Sequence, residues 1–156
     1  MAVDVNEAET RHVRRQHSGR MSEREREREE HLAKMVNAVA GTIRKDGTVQ
    51  LSPNWYLWAV ERMLISTSSW TAKVHNIRRD PRVTICVDDP VSGRYVAISG
   101  TATLIDDDRV RDLTMALIAK YVSEAEVLPH WERINRNADR VILEVEPAKI
   151  LWRRGF

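Results

Sequence analysis

The N-terminal part of the chain changes from an irregular polar pattern to a helical one. Residues 1–21 are polar, mixed in charge and without apolar periodicity, which is typical of a flexible tail. Ser22 and Glu25 then have the spacing of a capping box, in which each side chain bonds the backbone of the other residue. We predict a helix over about residues 22–36. Its apolar stripe, at helical spacing, consists of Leu32, Met35, Val36 and Val39.

Beyond this helix, short runs rich in β-branched residues alternate with turn residues. Asp46 and Gly47 form a strong signal for a hairpin turn between the first two runs. Pro53 lies inside the second run and requires a sheet edge or a bulge, because proline cannot donate to a strand ladder. Gly100, inside the fifth run, indicates a bulge or the close approach of another backbone. The six predicted strands are 39–44, 48–58, 63–67, 82–87, 95–105 and 141–145.

Helices are expected in the gaps between these strands. We predict them over about 71–79, after the acidic residues 106–108, and over about 125–136, and we expect Pro147 to begin an irregular tail. Hairpin order with helices between strands predicts a mainly β (α+β) fold, an antiparallel barrel with helical caps. A Gly-x-Gly-x-x-Gly motif does not occur, which argues against a Rossmann dinucleotide site. We assign one domain to residues 22–156.

Composition narrows the functional classes. The 156 residues include 42% apolar residues, enough for one core, and the net charge of +2 provides no global basic field for nucleic acid. The only cysteine is Cys86, which we expect to be a small buried hydrophobic residue and which excludes an intramolecular disulfide. No apolar run approaches the length of a membrane span. We therefore expect a cytoplasmic protein that binds neither nucleic acid nor membrane.

The segment 66–73 is the clearest candidate for binding chemistry. Its hydroxyl groups precede a predicted helix, and Lys73 adds a cation at the start of that helix. Hydroxyls, a cation and free backbone N–H groups at a helix start are what a phosphate requires. An ordinary polar loop with a helix N-cap is an equally good interpretation. The hydroxyl residues are Ser66, Thr67, Ser68, Ser69 and Thr71.

The interrupted second strand offers a surface for a flat ring. Asn54, Trp55 and Tyr56 follow Pro53, and backbone groups exposed by a bulge there could bond the edge of a heterocycle that an aromatic side chain covers. Acid–base machinery is less evident, since the five histidines show no metal-ligand spacing and no Ser/His/Asp set stands out. A chain of this kind can still be an enzyme if a cofactor carries the reaction.

Two segments resemble a known family. Residues 42–56 are similar to the first hairpin of the pyridoxamine-phosphate-oxidase-like split barrels. Residues 72–83 contain the more specific pattern Lys-x-x-Asn-Ile-Arg-Arg-Asp-Pro-Arg-Val of that family. The resemblance extends over about residues 32–154 and is greatest to the flavin/deazaflavin oxidoreductase B group.

The resemblance implies a six-stranded antiparallel split β-barrel with flanking helices, forming a homodimer with cofactor sites at its interface. It implies coenzyme F-420 as cofactor, with FMN as the alternative. By position, Lys73 would hold the cofactor phosphate, assisted by Ser66, Thr67, Ser68 and Thr71. Asn76 would brace the loop. The residues expected along the ring are Gln50, Ser52, Pro53, Asn54 and Trp55.

Two departures from the family pattern limit these expectations. Thr71 stands where some deazaflavin-binding relatives carry a second basic residue. The C-terminal residues 152–156 lack the arginine/histidine substrate motif of true pyridoxamine-phosphate oxidases, so we do not predict vitamin B6 oxidation.

Several functions remain open at this stage. The first is an F-420-dependent reductase that transfers a hydride to a small organic substrate, and the second is an FMN-dependent oxidoreductase. The third is a cofactor carrier without turnover. The fourth is an interaction module whose arginine-rich N-terminal helix binds an acidic partner.

Overall fold

The computed structural model describes residues 19–155, in which strands alternate with helices. The predicted tail therefore lies almost wholly outside the described residues. The helices are α1 (Glu23–Leu32), α2 (Ala72–Arg79), α3 (Arg109–Ala119) and α4 (Glu124–Ile134). The strands are β1 (Ala38–Ile43), β2 (Val49–Asn54), β3 (Leu57–Ala59), β4 (Arg62–Ser68), β5 (Arg82–Asp89), β6 (Arg94–Ile105) and β7 (Arg140–Arg153).

All strands belong to one sheet in the order β2-β1-β5-β6-β7-β4-β3, with every neighbouring pair antiparallel. The sheet curls into a half-barrel, so the predicted mainly β, antiparallel split-barrel fold is confirmed. One apolar cluster fills the concave side, and a second lies between β4, β7 and the α3–α4 pair. Within residues 19–155, no helix is long and apolar enough to cross a bilayer.

The sheet has seven strands within the described residues where six were predicted, because the segment 48–58 divides in two. β2 pairs with β1 at one end of the sheet order, and β3 pairs with β4 at the other. Tyr56 lies at the break, fully buried. Its N–H bonds the Tyr121 hydroxyl at 3.1 Å and its own hydroxyl bonds the Leu32 carbonyl at 2.8 Å. These tertiary bonds remove Tyr56 from either ladder. Pro53 lies on edge strand β2, as its missing donor requires.

The prediction that an irregular tail begins at Pro147 is wrong. β7 continues through Pro147 to Arg153 and pairs with β6 along its length. The register shifts between Ser99 and Gly100, which face Lys149 and Pro147, so β7 accommodates its proline at a bulge. A Cβ at Gly100 would overlap the Glu146 carbonyl and lie 3.1 Å from the Pro147 Cα. The predicted close backbone approach at Gly100 is confirmed.

Helix α1 begins as predicted and ends early. Ser22 and Glu25 form both bonds of the capping box, at 3.1 and 2.8 Å. The helix ends at Leu32 because its carbonyl accepts bonds from the side chains of Tyr56 and Lys120. Of the apolar stripe predicted for a longer helix, Leu32 is buried and Val36 is packed against the core. Met35 is 68% exposed, and Val39 belongs to β1.

The α3–α4 pair covers the β4–β7 end of the half-barrel. Val110 and Ile118 of α3 and Trp131 of α4 bury their side chains against this part of the sheet. Ser123 and Glu126 begin α4 with a second capping box, which the sequence reading did not single out. The pair leaves a gap above the ends of β4 and β7, where the candidate site lies.

Candidate functional site

A cavity of about 250 Å³ lies between the α3–α4 pair and the sheet, beside the start of α2. Its apolar wall comes mainly from the two helices, and its polar end comes from the antiparallel pair β4 and β7. The lining residues are Pro53, Asn54, Trp55, Ser66, Thr67, Lys73, Thr114, Leu117, Ile118, His130, Ile134 and Arg140.

The polar end brings together two cations and several hydroxyls. Arg140 donates from Nη2 to the Ser66 Oγ at 3.0 Å and from Nε to the same oxygen at 3.3 Å. The Ser66 Oγ also lies 3.0 Å from the Thr114 Oγ1. Lys73 donates to the Thr67 Oγ1 at 3.5 Å. The pairing of Ser68 with Arg140 across β4 and β7 fixes this arrangement.

The electrostatics of this end favour an anion. Burial, together with the charge of Arg140, lowers the pKa of Lys73. Burial also lowers the pKa of Arg140, and Asp139 only partly opposes that effect. No carboxylate occurs among the described residues that line the cavity. Two half-buried cations without an anionic partner in the lining are a site at which a phosphate would be stabilised.

Three aromatic rings stack on one another near the cations, and we refer to them as the ring stack; Trp55 and His130 line the cavity and Tyr121 is outside its lining. Trp55 stacks on Tyr121 with centroids 4.5 Å apart and planes 3° from parallel. On its other side, Trp55 stacks on His130 at 5.2 Å and 25°. Tyr121 anchors the stack by donating from its hydroxyl to the Val36 carbonyl at 2.9 Å. The stack is therefore fixed in orientation.

The structure brings six of the predicted site residues to the cavity and leaves five outside its lining. Pro53, Asn54, Trp55, Ser66, Thr67 and Lys73 line the cavity. Two others support it from behind. Thr71 donates to the Ser68 carbonyl at 3.0 Å and lies 3.3 Å from the Thr67 Oγ1, and the Ser68 Oγ accepts from Arg140 at 3.4 Å.

The remaining three predicted residues lie along β2 and α2. Ser52 accepts a bond from the Asn54 side-chain amide at its carbonyl, at 2.7 Å. Asn76 donates to Thr42 at 3.0 Å, and Thr42 donates to Gln50 at 3.2 Å. This chain of side-chain bonds joins α2 to β1 and β2. Asn76 thus contacts the sheet, and its expected role of bracing the loop stays a prediction.

Sequence reasoning missed three lining residues that carry polar groups, namely Thr114, His130 and Arg140. The predicted last strand began one residue after Arg140, and His130 had no partner at a recognisable spacing. Arg140 and Ser66 are 74 positions apart, so only the pairing of β4 with β7 could place them together. A basic residue immediately before a predicted strand was the one signal in the sequence that pointed to Arg140.

A half-barrel sheet with a cation-lined cavity beneath a helical pair defines a split β-barrel protein of the flavin-binding type of fold. The sequence profile described as pyridoxamine 5'-phosphate oxidase matches residues 25–152, and the chain belongs to this family.

Solved structures are similar over most of the chain. An F420 reductase is 26% identical with a TM-score of 0.64, covering 79% of this chain and 94% of its own. A conserved hypothetical protein from Mycobacterium tuberculosis is 20% identical with a TM-score of 0.69, covering 85% and 84%. HutZ, a heme storage protein from Vibrio cholerae, is 14% identical with a TM-score of 0.65, covering 84% and 96%. The last two likenesses show the fold alone.

Proposed function

We propose that this protein is a cytoplasmic oxidoreductase that binds a deazaflavin of the F-420 type and reduces a small organic molecule by hydride transfer. FMN is the alternative cofactor. Membership in the pyridoxamine 5'-phosphate oxidase family supports a flavin-type cofactor, and the 26% identity to an F420 reductase favours the deazaflavin. The observation that carries the proposal is the pair of cations in one cavity beside Trp55 and His130 of the ring stack.

The residues fit a phosphate-bearing cofactor. Lys73 and Arg140 would hold the phosphate charge, and Ser66 and Thr67 would donate or relay hydrogen bonds to its oxygens. Trp55, whose two faces are stacked on Tyr121 and His130, would border the ring system with the edge of its indole. The cofactor supplies the hydride chemistry when bound. The apolar lining residues would exclude water from the reacting face, and they are Leu117, Ile118 and Ile134.

The cavity of one chain is too small for the whole cofactor. At about 250 Å³ it is below the range of about 300–1,000 Å³ that drug-sized ligands occupy. The ring would therefore extend past Pro53 along β2, where Gln50 and Ser52 lie. We propose that a second copy of the chain covers this extension, so that the site is completed in a homodimer.

The convex face of the sheet supports such a dimer. One apolar residue from each of five neighbouring strands stands in register across that face, in the order Pro53, Val39, Cys86, Ala97 and Leu151. Val39 and Leu151 are each 37% exposed, and Cys86, predicted to be buried, is only half-buried. Leu51, on the same face of β2, is 65% exposed. An apolar row of this kind is typical of a surface that a partner covers.

The dimer prediction is tested by charging this face. We expect Leu51→Lys to convert a dimer to a monomer, because the apolar face would have to bury a charge, and to weaken cofactor binding at least about tenfold. Light scattering gives the mass and fluorescence titration the affinity. Val91→Lys, on a loop where Val91 is 95% exposed, is the matched control. A wild-type monomer that binds cofactor fully would contradict the prediction.

The cofactor prediction is tested by titrating F-420 and FMN into the full chain. We expect Lys73→Ala to weaken binding by about 1.5–3 kcal/mol, the range for hydrogen bonds to charged groups. Arg140→Met should have an effect of similar size, measured by calorimetry. Arg78→Met is the matched control, because Arg78 is an exposed cation on the same helix as Lys73 and lies outside the cavity lining. If Lys73→Ala binds the cofactor with the affinity of the wild type, the proposed phosphate site is contradicted.

Turnover separates the enzyme from the carrier. Reduced cofactor should be consumed when the protein is mixed with an electrophilic substrate from a panel of enones, quinones and tetrapyrroles. Binding of reduced cofactor without consumption across the panel would instead support the carrier interpretation.

A further inference from the structure

Helix α4 contributes one polar side chain to the cavity, and the phosphate site does not use it. His130 lines the cavity, and its ring stacks on Trp55 as the outer member of the ring stack. Trp55 is in turn held by Tyr121, which bonds the backbone of Val36. The imidazole therefore has a defined plane relative to the cavity, set by residues from three different parts of the chain.

A hydrogen bond determines which nitrogen of His130 carries the proton. Arg133 lies one turn further along α4, with its Nη2 2.8 Å from the Nδ1 of His130. A guanidinium has only donors, so Nδ1 accepts this bond and must be unprotonated. The neutral ring then carries its hydrogen on Nε2. Within the described residues, Nε2 makes no hydrogen bond, which leaves this donor available to a ligand.

Burial and the neighbouring arginines both disfavour protonation of the His130 ring. Arg133 on the same helix and Arg140 on β7 both oppose protonation, and Lys73 is a further cation in the same cavity. Glu126 is the one nearby carboxylate of α4 that favours protonation. Burial is the largest effect, and with the two arginines it lowers the pKa of His130.

We propose that His130 binds the heterocycle of the cofactor through Nε2–H, as a neutral hydrogen-bond donor that Arg133 holds in one tautomer. The acceptor would be a carbonyl oxygen or a ring nitrogen of a molecule lying beside Trp55. The proposal rests on the proposed function. An uncharged donor suits this cavity, because Lys73 and Arg140 already provide its positive charge.

The role of the donor is tested by binding. With whichever of F-420 and FMN the wild-type chain binds, His130→Leu should weaken affinity about fivefold or more, since one hydrogen bond is lost. His130→Gln, which keeps an N–H donor, should remain within about twofold of the wild type. His75→Leu, an exposed histidine of α2, is the matched control. Wild-type affinity for His130→Leu would overturn the proposal.

The role of Arg133 is tested by its effect on pH dependence. Arg133→Met removes one of the cations that oppose protonation of His130, so the ring should take up a proton at a higher pH than in the wild type, and the affinities of the two proteins should differ more at about pH 5.5 than at about pH 7.5. Arg136→Met, which removes an exposed cation just beyond α4, should show no such trend. Nitrogen NMR shifts of His130 without cofactor provide a readout independent of activity. A neutral wild-type ring that carries its hydrogen on Nδ1, measured at about pH 8, would overturn the assignment.

These results separate the two proposals. If Lys73→Ala weakens cofactor binding and His130→Leu does not, the phosphate site is supported and the proposed role of His130 is contradicted. If the wild-type chain binds neither cofactor, both proposals fail.

Discussion

Burial and the neighbouring cation, more than hydrogen-bond partners, determine the charge behaviour of Lys73. Its hydrogen bond to Thr67 is long, at 3.5 Å, and Arg140 adds repulsion to the cost of burial, so the pKa of Lys73 is lowered. The opposite charge of a bound anion would offset both effects. A lysine in an exposed loop would have neither the burial nor the neighbouring arginine that make an anion favourable here. The spacing of residues in the sequence does not show whether Lys73 is buried or exposed.

The two-residue turn between β3 and β4 has an unusual backbone conformation. Val60 and Glu61 both have positive φ, at 50° and 56°. This region is unfavourable for a β-branched residue and is favoured by asparagine and glycine in hairpin turns.

Val60→Asn is expected to stabilise the protein by about 1 kcal/mol, since a left-handed conformation is costly for valine and tolerated by asparagine. Val60 is 93% exposed, so no packing is lost. Urea unfolding measures the change. Val91→Asn, at another exposed loop valine whose φ is not positive, is the control and should be neutral. A destabilised Val60→Asn would show that the turn is not strained.

At the scale of elements, β7 depends on one glycine of its partner strand. The bulge at Pro147 brings the β7 backbone against Gly100, where a side chain has no space. This contact allows a strand that contains proline to remain paired through residue 153. It also continues the sheet that holds Arg140 at the cavity, because Arg140 begins the same strand.

Gly100→Ala should destabilise the protein by about 1–3 kcal/mol, because the added methyl group would overlap backbone atoms that cannot move aside like a side chain. Thermal unfolding measures the loss, with Gly19→Ala as the control, since a Cβ at Gly19 has no atom within 4 Å. Equal stability of the two variants would mean that the β6–β7 bulge can shift.

At the scale of the whole molecule, Lys120 joins three separate parts of the chain. It follows α3, and its Nζ lies 3.5 Å from the centroid of the Tyr56 ring. The Nζ also bonds the carbonyls of Leu32 at the end of α1 and of Tyr56 between β2 and β3, at 3.3 Å each. Burial lowers the pKa of Lys120 from 10.5 to about 8.

The folded state therefore binds fewer protons than the unfolded state between about pH 8 and about pH 10.5, and the contribution of Lys120 to stability rises with pH there. Below about pH 8 the lysine is charged in both states, and the full cost of burial remains. Relative to Lys120→Met, the wild type should gain on the order of 1 kcal/mol across this window, a figure already reduced for partial exposure.

Urea unfolding of the wild type and of Lys120→Met at a series of pH values measures this difference, and comparison of the two proteins cancels the titration of Tyr121 and Cys86, whose pKa values are raised by burial. Lys45→Met, at an exposed lysine, is the matched control. A constant difference between the wild type and Lys120→Met across the window would contradict the prediction.

The sequence by itself determined the elements that depend on interactions between residues a few positions apart. Ser22 and Glu25 began a helix, Asp46 and Gly47 turned a hairpin, and the 66–73 segment placed Lys73 at a helix start, because each depends on residues a few positions apart. These patterns, with the resemblance of residues 42–56 and 72–83, were enough to predict the split barrel and half of the cavity lining.

Tertiary structure alone decided the rest. The division of the second strand depends on hydrogen bonds from Tyr56 to Tyr121 and Leu32, and the length of β7 depends on its fit against Gly100. Arg140 reaches Ser66, and His130 reaches Trp55, only through strand pairing and helix packing across nearly half of the chain. Spacing along a sequence does not encode such contacts, because the register between distant strands and the seating of a helix arise from packing of the folded whole.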